Sequence, residues 1–319
     1  MDDFRFAIMG AGRIARKFCD AAALTPGCAV IAAASKSLER ARALAAEKDI
    51  PAVYDSYERM LEAEKPDCVY IATTCESHFP LAMLCAEHGV PVLCEKAMFM
   101  SSAEAEAFFA LAESKKVFAM EALWSRFLPA VNQARAWIGE GRVGEVALAE
   151  MNIGFIAPPD PENRYFSPKL GGGAAYDLTV YGLQILAWAL DRPITRARAE
   201  AVRAQTGVDA SSIVLLSLDG LPAVVKSSLA ASMNEGLIVY GSKGRIVVPH
   251  AHHGSEALLL APDGAEIERF TDEVTRNGFT YEIGEVMRCV RAGEIESPVV
   301  PHASTRACAQ VFDLIRAAL

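Results

Sequence analysis

The stretch Phe4-Arg-Phe-Ala-Ile-Met-Gly-Ala-Gly-Arg-Ile-Ala15 decides the fold of this chain. Its first half is an apolar run of strand length, and its second half has the Gly-x-Gly-x-x-Ala spacing of a dinucleotide-binding turn. Gly10 permits the tight turn, Gly12 lets backbone approach a pyrophosphate, and Ala15 allows close packing of the following helix. That helix, predicted over residues 14–24, directs its N-terminus at the phosphates. The predicted cofactor contacts in this turn are Gly10, Gly12, Arg13 and Ile14.

Strand-like and helix-like segments then alternate as far as residue 120. Such alternation is typical of an α/β fold with a doubly wound parallel sheet and right-handed crossovers. The predicted strands are residues 4–9, 29–34, 52–54, 68–72, 92–94 and 117–120. The predicted helices are residues 14–24, 38–47, 56–62, 78–88 and 103–114. We therefore predict a dinucleotide-binding Rossmann domain over residues 1–122.

The end of the second predicted strand bears on the choice of cofactor. In NAD-binding proteins an acidic residue there bonds the ribose 2′-hydroxyl. Here Ser35, Lys36 and Ser37 follow the strand, with Arg40 a turn later and no acid before Glu39. Ser35, Lys36 and Arg40 suit a 2′-phosphate, so we predict NADP and regard NAD as less favoured. The alternative is a basic surface loop without a ligand.

After residue 121 the pattern changes. A helix is predicted at residues 130–138 and a long strand at 146–156, followed by a proline-rich loop and by a helix opened by Gly171-Gly-Gly173. Further strands are predicted at residues 213–218, 223–229, 237–240 and 245–248, with turn residues between them. Helices predicted at residues 281–291 and 305–319 close the chain. We expect an α+β domain over residues 123–319 with a large, mainly antiparallel open sheet, its last helix a candidate to pack back on the first domain.

Composition excludes several classes of function. A net charge of −9 argues against nucleic-acid binding, which needs a basic surface. The eight cysteines include no Cys-x-x-Cys pair, as expected for thiols in a reducing cytoplasm. No apolar run approaches the roughly 18 residues of a membrane span. We therefore expect a cytoplasmic protein that binds neither nucleic acid nor membranes.

Three residues are candidates for chemistry. Lys96 follows the predicted strand at residues 92–94, and ligands of parallel sheets bind outside the carboxyl ends of the strands. Asp177 and Tyr181, four residues apart, share one face of an otherwise apolar helix. The alternatives are a solvated lysine, an aspartate at a first helical turn, where negative charge is favoured, and a tyrosine that caps the core.

Taken together, these segments resemble the glucose–fructose oxidoreductase/inositol dehydrogenase (Gfo/Idh/MocA) family of pyridine-nucleotide enzymes. The motifs in question are Gly10-Ala-Gly-Arg-Ile-Ala15, Thr73-Thr74 with His78, Leu93-Cys-Glu-Lys96, Glu121-Ala-Leu-Trp-Ser-Arg-Phe127, and Gly171-Gly-Gly-Ala-Ala-Tyr-Asp177 with Tyr181. Within the family the chain is most similar to the dimeric dihydrodiol dehydrogenase and NADP-dependent D-xylose dehydrogenase branch. Tyr181, where other branches have histidine, and Thr206-Gly-Val-Asp209 support that placement.

The resemblance implies that Lys96 and Tyr181 face the nicotinamide and the reacting carbon, with Asp177 beside the substrate hydroxyl. An ammonium close to a tyrosine favours the phenolate, so Tyr181 is the expected acid/base and Lys96 its electrostatic partner. The predicted substrate contacts are Lys96, Trp124, Phe155, Asp177 and Tyr181. The remaining predicted cofactor contacts are Thr73, Thr74, His78, Glu95, Lys96, Trp124 and Arg126. The family usually has proline after the Glu-Lys pair, often in a cis bond, whereas this chain has Ala97.

The expected activity is that of an NADP-dependent oxidoreductase acting on a hydroxyl of a sugar, polyol or cyclic vicinal diol. One alternative is a catalytically silent sensor that binds the cofactor and a protein partner. Another is an oxidoreductase that retains its cofactor while it oxidises one sugar and reduces another. The presence of Lys96, Asp177 and Tyr181 together favours an enzyme over a sensor.

Two further expectations concern the second domain. His250, His252 and His253 lie close together, but no carboxylate or cysteine has suitable spacing along the chain, so we expect no metal site. An antiparallel sheet with helices on one side leaves the other face to water or a partner. We expect a homodimer or higher homo-oligomer through that face. The residues assigned to it from the sequence are Val214, Leu216, Leu218 and Val225.

Overall fold

The structure, a computed structural model, describes residues 3–319, which group into two compact units. The first unit extends to Phe99 and also contains Ala103–Ala122 and Asn277–Thr305. The second unit contains Met100–Ser102, Leu123–Arg276 and Arg306–Leu319. The first unit is therefore discontinuous in sequence, because one of its segments follows most of the second unit.

The first unit is built on a six-stranded sheet in which every neighbouring pair is parallel. The strands are Phe4–Met9 (β1), Cys28–Ala34 (β2), Ala52–Tyr54 (β3), Cys68–Ile71 (β4), Val92–Glu95 (β5) and Ala119–Ala122 (β6), in the order β3-β2-β1-β4-β5-β6. The helices are Arg13–Leu24 (α1), Leu38–Lys48 (α2), Tyr57–Glu64 (α3), His78–Glu87 (α4) and Ser102–Lys115 (α5). The predicted doubly wound sheet is confirmed.

The central strands of this sheet are buried on both faces, which explains their continuous apolar sequences. Every residue of β4 and β5 is buried. In the core, Phe18 of α1 stacks on Tyr70 of β4 with ring centroids 3.9 Å apart. The last strand was predicted at residues 117–120, but β6 begins two residues later. Glu121, predicted to follow the strand, therefore lies inside it and is 2% exposed.

The second unit is built on an eight-stranded sheet in the order β14-β13-β12-β11-β7-β10-β9-β8. Its strands are Val146–Gly154 (β7), Ile194–Arg203 (β8), Asp209–Leu218 (β9), Leu221–Ser228 (β10), Gly236–Gly241 (β11), Gly244–Pro249 (β12), Glu256–Leu260 (β13) and Glu266–Thr271 (β14). Only β7 and β10 pair in parallel, so the predicted mainly antiparallel sheet is confirmed. The remaining helices of the chain are Pro129–Gly139 (α6), Val180–Ala189 (α7), Phe279–Ala292 (α8) and His302–Ala317 (α9).

The two faces of β9 are opposite to those predicted. Val214, Leu216, Leu218 and, on β10, Val225 are buried rather than open to a partner. The reason is that α7 packs on this face, where Gly182 lies so close to Val225 that a Cβ would meet its Cγ1. Ile213 and Leu215, which alternate with the buried set, are 50% and 57% exposed.

Within residues 3–319, none of the helices combines the length and apolarity that a membrane crossing requires. Over the same residues, none of the eight cysteines forms a disulfide.

Candidate active site

The glycine turn after β1 has the backbone that a dinucleotide site requires. Gly10 has a φ of +107°, and a Cβ there would lie 2.6 Å from the carbonyl oxygen of Ala72. No other residue type fits this position without moving the backbone at Ala72, which directly follows β4. Gly12 is the N-cap of α1 and is exposed, and no side chain caps the helix. The first amide groups of α1 are therefore available to an anion.

The loop after β4 carries an unsatisfied hydroxyl. Thr73 Oγ1 is buried and has no hydrogen-bond partner, whereas Thr74 Oγ1 donates to Glu76 Oε1 at 2.7 Å. A buried polar group left without a partner costs about 1–3 kcal/mol. Thr73 directly follows Ala72, whose carbonyl oxygen lies close to Gly10. The glycine turn and the Thr73 hydroxyl together fit a bound dinucleotide.

The segment after β2 combines a rigid backbone with two exposed cations. Ser35 is 6% exposed, and its hydroxyl accepts a hydrogen bond from the Ser37 amide at 3.2 Å. Ser37 caps α2 by accepting from the Arg40 amide at 3.3 Å. Lys36 and Arg40 are exposed at the end of the strand. A phosphate at this position would meet two positive side chains.

The loop that contains Lys96 is held at two points within the first unit. The peptide bond between Lys96 and Ala97 is cis, although Ala97 stands where the resemblance implies a proline. His78 Nδ1 lies 2.8 Å from the Ala97 carbonyl oxygen, and the Met98 amide donates to Glu121 Oε1 at 2.9 Å. Burial lowers the pKa of His78, and its second ring nitrogen, Nε2, lies 3.3 Å from the Thr73 carbonyl oxygen. His78 was predicted to contact the cofactor. In the structure its ring contacts the backbone of the Lys96 loop and stabilises it.

Glu95 lies in the core of the first unit, although it too was predicted to contact the cofactor. Its carboxylate accepts a hydrogen bond from the Tyr70 hydroxyl at 2.5 Å. Burial raises the pKa of Glu95, and it raises the pKa of Glu282 on α8 well above the ordinary value. Neither carboxylate oxygen of Glu282 has a hydrogen-bond partner. Glu95 and Glu282 thus form an internal acidic pair, which the sequence did not predict.

In the second unit, Asp177 and Tyr181 project from a helix that changes its pitch between them. Residues Ala175–Thr179 form a π-helical turn, and α7 continues from Val180. Such turns are rare and frequently mark functional sites. Asp209 Oδ2 accepts a hydrogen bond from the Ala175 amide at 2.7 Å, and burial raises the pKa of Asp209 to about 7. Asp209 was predicted only to mark the branch of the family, and its capping role was not predicted.

Trp124 and Tyr181 meet through their polar atoms. The indole N–H of Trp124, in the short 3-10 turn Trp124–Phe127, donates to the Tyr181 hydroxyl oxygen at 3.3 Å. Arg126 of the same turn is 2% exposed and donates to the Gln184 carbonyl oxygen of α7 at 3.0 Å. Arg126, predicted to contact the cofactor, is thus placed to fix the turn on α7.

Asp177 pairs with an arginine that the sequence analysis did not single out. Arg164 Nη1 lies 3.1 Å from Asp177 Oδ1, with side chains that are 49% and 17% exposed. The Arg164 guanidinium stacks over the Tyr165 ring at 4.1 Å, and the Tyr165 carbonyl oxygen accepts from the Gly173 amide at 2.9 Å. The proline-rich loop is therefore fastened to the start of the Asp177 helix.

Aromatic side chains lie beside the Asp177–Arg164 pair in the second unit. The rings of Phe155 and Tyr165 pack edge to face with centroids 5.2 Å apart. Phe155, Tyr165, Phe166 and Tyr181 all pack against one buried apolar cluster, which consists of Ile153, Ala157, Ala174, Leu178 and Leu229. The predicted substrate contacts Trp124, Phe155, Asp177 and Tyr181 thus belong to one neighbourhood of the second unit.

A histidine cluster adjoins Tyr181. The rings of Tyr181 and His252 have centroids 5.5 Å apart, and His252 packs on His253 at 4.2 Å. Glu235 Oε2 lies 3.1 Å from His250 Nδ1 and 4.0 Å from His252 Nε2. No carboxylate has a suitable spacing to these histidines along the chain, but the β11–β12 hairpin brings Glu235 beside them.

A parallel dinucleotide-binding sheet joined to an α+β unit with an Asp–Tyr helix defines a class of nicotinamide-dependent oxidoreductase. Residues 4–123 match the model of the Gfo/Idh/MocA oxidoreductase family, described as an NAD-binding Rossmann fold. Residues 131–247 match the model of the Gfo/Idh/MocA C-terminal domain. The chain belongs to the Gfo/Idh/MocA family of oxidoreductases.

Named relatives align with nearly the whole chain. It is 33% identical to trans-1,2-dihydrobenzene-1,2-diol dehydrogenase of Danio rerio and 31% identical to that of Mus musculus. These alignments cover 98% and 99% of this chain and 96% of each relative.

Solved structures share the fold. Aldose–aldose oxidoreductase from Caulobacter crescentus, complexed with glycerol, has a TM-score of 0.89 at 22% identity, over 99% of this chain and 97% of the other. A 3-ketoreductase from Actinomadura kijaniata, in complex with NADP, has a TM-score of 0.87 at 23% identity, over 99% and 98%. At these identities the likeness concerns the fold alone.

Proposed function

We propose that this protein is an NADP-dependent dehydrogenase that oxidises a hydroxyl-bearing carbon of a sugar, polyol or cyclic vicinal diol. One observation carries the proposal, namely that Tyr181 and Asp177 project from one helix with Trp124 and Arg164 as their polar partners. A phenol and a carboxylate in an aromatic setting suit the recognition and deprotonation of an alcohol. The dehydrogenase names of the relatives agree with this chemistry.

Cofactor binding is assigned to the first unit. Gly10, Gly12 and the start of α1 would hold the pyrophosphate, and the Thr73 hydroxyl would gain a partner. When bound, the nicotinamide supplies the hydride acceptor that the amino-acid side chains lack. Lys36 and Arg40 would pair with a 2′-phosphate, which favours NADP over NAD because β2 is not followed by an acidic residue.

Proton transfer is assigned to Tyr181. Removing a hydride from an alcohol carbon requires that the hydroxyl proton go to a base, and the phenolate of Tyr181 would accept it. The Trp124 N–H, 3.3 Å from the phenolic oxygen, favours the anionic form of that group. Lys96 would supply positive charge to the substrate oxygen, and the two contacts of its loop with His78 and Glu121 hold the backbone that presents it.

Substrate binding is assigned to the second unit. Asp177 would accept a hydrogen bond from a substrate hydroxyl, in competition with Arg164, which it already pairs with at 3.1 Å. The Phe155 and Tyr165 rings offer flat apolar surfaces of the kind that pack on the C–H faces of sugars and cyclic diols. Vicinal hydroxyls match a site with one anionic and one cationic group side by side.

A homodimer or higher homo-oligomer through the open face of the second sheet is also proposed. On that face, Leu148, Val202, Ile213 and Leu215 are between 42% and 63% exposed. On the same face, the Glu150 carboxylate accepts hydrogen bonds from Lys226 Nζ and from the Tyr240 hydroxyl, both at 2.8 Å. An interface here would therefore combine apolar contacts with a polar network. Exposed apolar side chains grouped on one sheet face favour association.

The decisive experiment is a screen of NADP⁺ reduction over pentoses, hexoses, inositols and cyclic vicinal diols, run in parallel with Tyr181→Phe protein. Turnover of at least one class by the wild type, lost in the variant, supports the proposal. A protein that binds NADPH and turns over none of these classes would instead be a sensor. Cofactor that co-purifies through gel filtration and is reduced and reoxidised by two sugars would indicate the cofactor-retaining alternative.

A further inference from the structure

Glu235, His252 and His253 each offer one ligand atom, and these three atoms all lie within 4.8 Å of one another. His250 adds a third imidazole, with Nδ1 3.1 Å from Glu235 Oε2. The cluster lies at the end of the β11–β12 hairpin, in the second unit. It shares no residue with the Asp177–Arg164 pair, and the His252 ring lies beside Tyr181, with ring centroids 5.5 Å apart.

The hairpin fixes the backbone around this cluster. Gly236, the first residue of β11, pairs with Pro249, the last residue of β12. The turn that follows is closed by the amides of His253 and Gly254, which both donate to the His250 carbonyl oxygen, at 2.8 and 2.6 Å. The His250 amide in turn donates to the Glu235 carbonyl oxygen at 3.1 Å. The candidate ligands are therefore preorganised rather than spread along a loose loop.

The Glu235 carboxylate is oriented by the neighbouring strand. Its Oε1 accepts a hydrogen bond from the Gly154 amide of β7 at 2.9 Å. That bond leaves Oε2 directed at the histidines. An oriented carboxylate of this kind is what outer contacts usually provide for a metal ligand.

We propose that Glu235, His252 and His253 bind a divalent transition-metal ion of the zinc class. Imidazole and carboxylate ligands suit Zn²⁺, Co²⁺, Ni²⁺ and Cu²⁺, whereas Mg²⁺ and Ca²⁺ require mainly oxygen ligands. Two ligand atoms on a tetrahedral zinc lie about 3.3 Å apart, given bond lengths near 2.0–2.1 Å. Glu235 Oε2 and His252 Nε2 are 4.0 Å apart, so small side-chain rotations bring them onto one ion.

Exposure leaves the site accessible. The side chains of Glu235 and His252 are 13% and 15% exposed, while His253 is exposed. Glu235 and His252 would bind the ion from the protein side. Solvent would reach the ion beside His253. Three protein ligands leave a fourth coordination position for water or for a hydroxyl oxygen.

The test uses tag-free, full-length protein stripped with a chelator and then titrated with ZnCl₂ in a calorimeter. We expect one zinc ion per chain, and loss of a direct ligand in His253→Ala and in Glu235→Gln should cost more than the ~10–100-fold that outer contacts contribute. His88→Ala, which removes an exposed histidine of the first unit, is the matched control and should bind zinc like the wild type. MgCl₂ should give no comparable heat.

A Co²⁺ titration adds a readout of ligand geometry, since visible absorption reports tetrahedral coordination and should vanish in His253→Ala. This variant changes an exposed side chain, so a folding defect is not expected to obscure the result. Zinc binding that is absent in the wild type, or equally strong in His253→Ala, would overturn the proposal. Because binding is measured without turnover, the result is independent of whether the proposed dehydrogenase activity is found.

Discussion

The indole N–H of Trp124 donates to the phenolic oxygen of Tyr181 at 3.3 Å, although the two residues are 57 positions apart in sequence. A donor aimed at a phenolic oxygen stabilises the phenolate more than the phenol. It also fixes the direction of the remaining lone pair, toward which a substrate hydroxyl would have to point. The acid/base assignment of Tyr181 can therefore be tested separately from its contribution to packing.

Tyr181→Phe is expected to lower kcat for alcohol oxidation by about 10²–10⁴-fold, the usual contribution of a general acid–base group. NADPH binding, measured by fluorescence titration, should stay nearly unchanged because the cofactor is assigned to the other unit. Tyr240→Phe, which removes a hydroxyl bonded to Glu150 on the open sheet face, is the control and should retain activity. If the Tyr181→Phe variant has a near-normal kcat, Tyr181 is not the acid/base and contributes only packing.

Lys96→Met should reduce kcat by a similar factor, because it removes the positive charge assigned to the substrate oxygen. Residues that act as a unit have non-additive effects. Steady-state kinetics of the Lys96→Met/Tyr181→Phe double variant should therefore be little worse than those of either single variant. If Lys96→Met alone abolishes turnover and Tyr181→Phe does not, Lys96 itself is the acid/base.

Lys36→Asp is expected to reverse or erase a preference for NADPH over NADH. The new carboxylate would repel a 2′-phosphate and offer an acceptor to a 2′-hydroxyl. Fluorescence titration with both reduced cofactors measures the ratio of dissociation constants. Lys115→Asp, at the end of α5 in a different part of the first unit, makes the same change of charge and should leave the ratio unaltered. Tighter NADH binding by the wild type would refute the NADP assignment.

Glu282 and Glu285, one turn apart on α8, should affect stability with opposite pH dependence. Burial raises the pKa of Glu282, so the folded state keeps a proton that the unfolded state loses above the ordinary glutamate pKa of about 4.3. The contribution of Glu282 to the free energy of unfolding is therefore greatest below that pH. It decreases as pH rises, by up to ~1.4 kcal/mol per pH unit. Arg288 lowers the pKa of Glu285, so its contribution is present at neutral pH and is lost as pH falls.

Thermal unfolding between about pH 3 and 9 distinguishes the two, because Glu285 titrates below its ordinary pKa and Glu282 above its own. Glu282→Gln should remove the alkaline loss and leave a Tm above that of the wild type at high pH. Glu285→Gln should lower the Tm at neutral pH and approach the wild type in acid. An unchanged alkaline slope in Glu282→Gln would mean that this carboxyl group ionises normally in the folded protein.

Leu215→Glu should convert a dimer into monomers, since Leu215 is 57% exposed on the open face of the second sheet. A charge placed in the centre of an apolar contact leaves an unpaired, desolvated group in the interface. Sedimentation velocity at micromolar concentration measures the change. Leu24→Glu, at a 46% exposed leucine of the first unit, should leave the dimer intact. A monomeric wild type would remove this interface from consideration.

Features encoded by local signals were predictable, and features that depend on long-range pairing were not. The strands and helices of the first unit follow from short apolar runs and turn residues, and the glycine turn from spacing alone. The faces of β9 were assigned wrongly because Ile213, Val214, Leu215 and Leu216 are all apolar. A period of two then gives no sign of which face a helix covers.

The same limit applies to the candidate site. Asp177 and Tyr181 are close in sequence, so their position on one continuous helical segment was predictable. Asp209, which caps their helix, lies 34 residues beyond Ala175, and Glu235 meets His250 only because a hairpin folds back. Arg164 lies in a loop whose sequence has no periodic pattern, so its contact with Asp177 could not be predicted. Such contacts are set by sheet register, which a single sequence does not specify.

The segment Asn277–Thr305 belongs to the first unit but is synthesised after most of the second unit. This order determines when the first unit can finish folding during translation. The amide of Ala119 in β6 donates to the Ile295 carbonyl oxygen, and Glu282 of α8 enters the core near Glu95. Residues 123–276 are made in between, which takes roughly 8–30 s at ribosomal rates of ~5–20 residues per second. During that interval the N-terminal sheet leaves the ribosome without its last helix. The first unit can therefore be completed only after residues 123–276 have been made, and damage to α8 should expose the nascent first unit to chaperones and proteases.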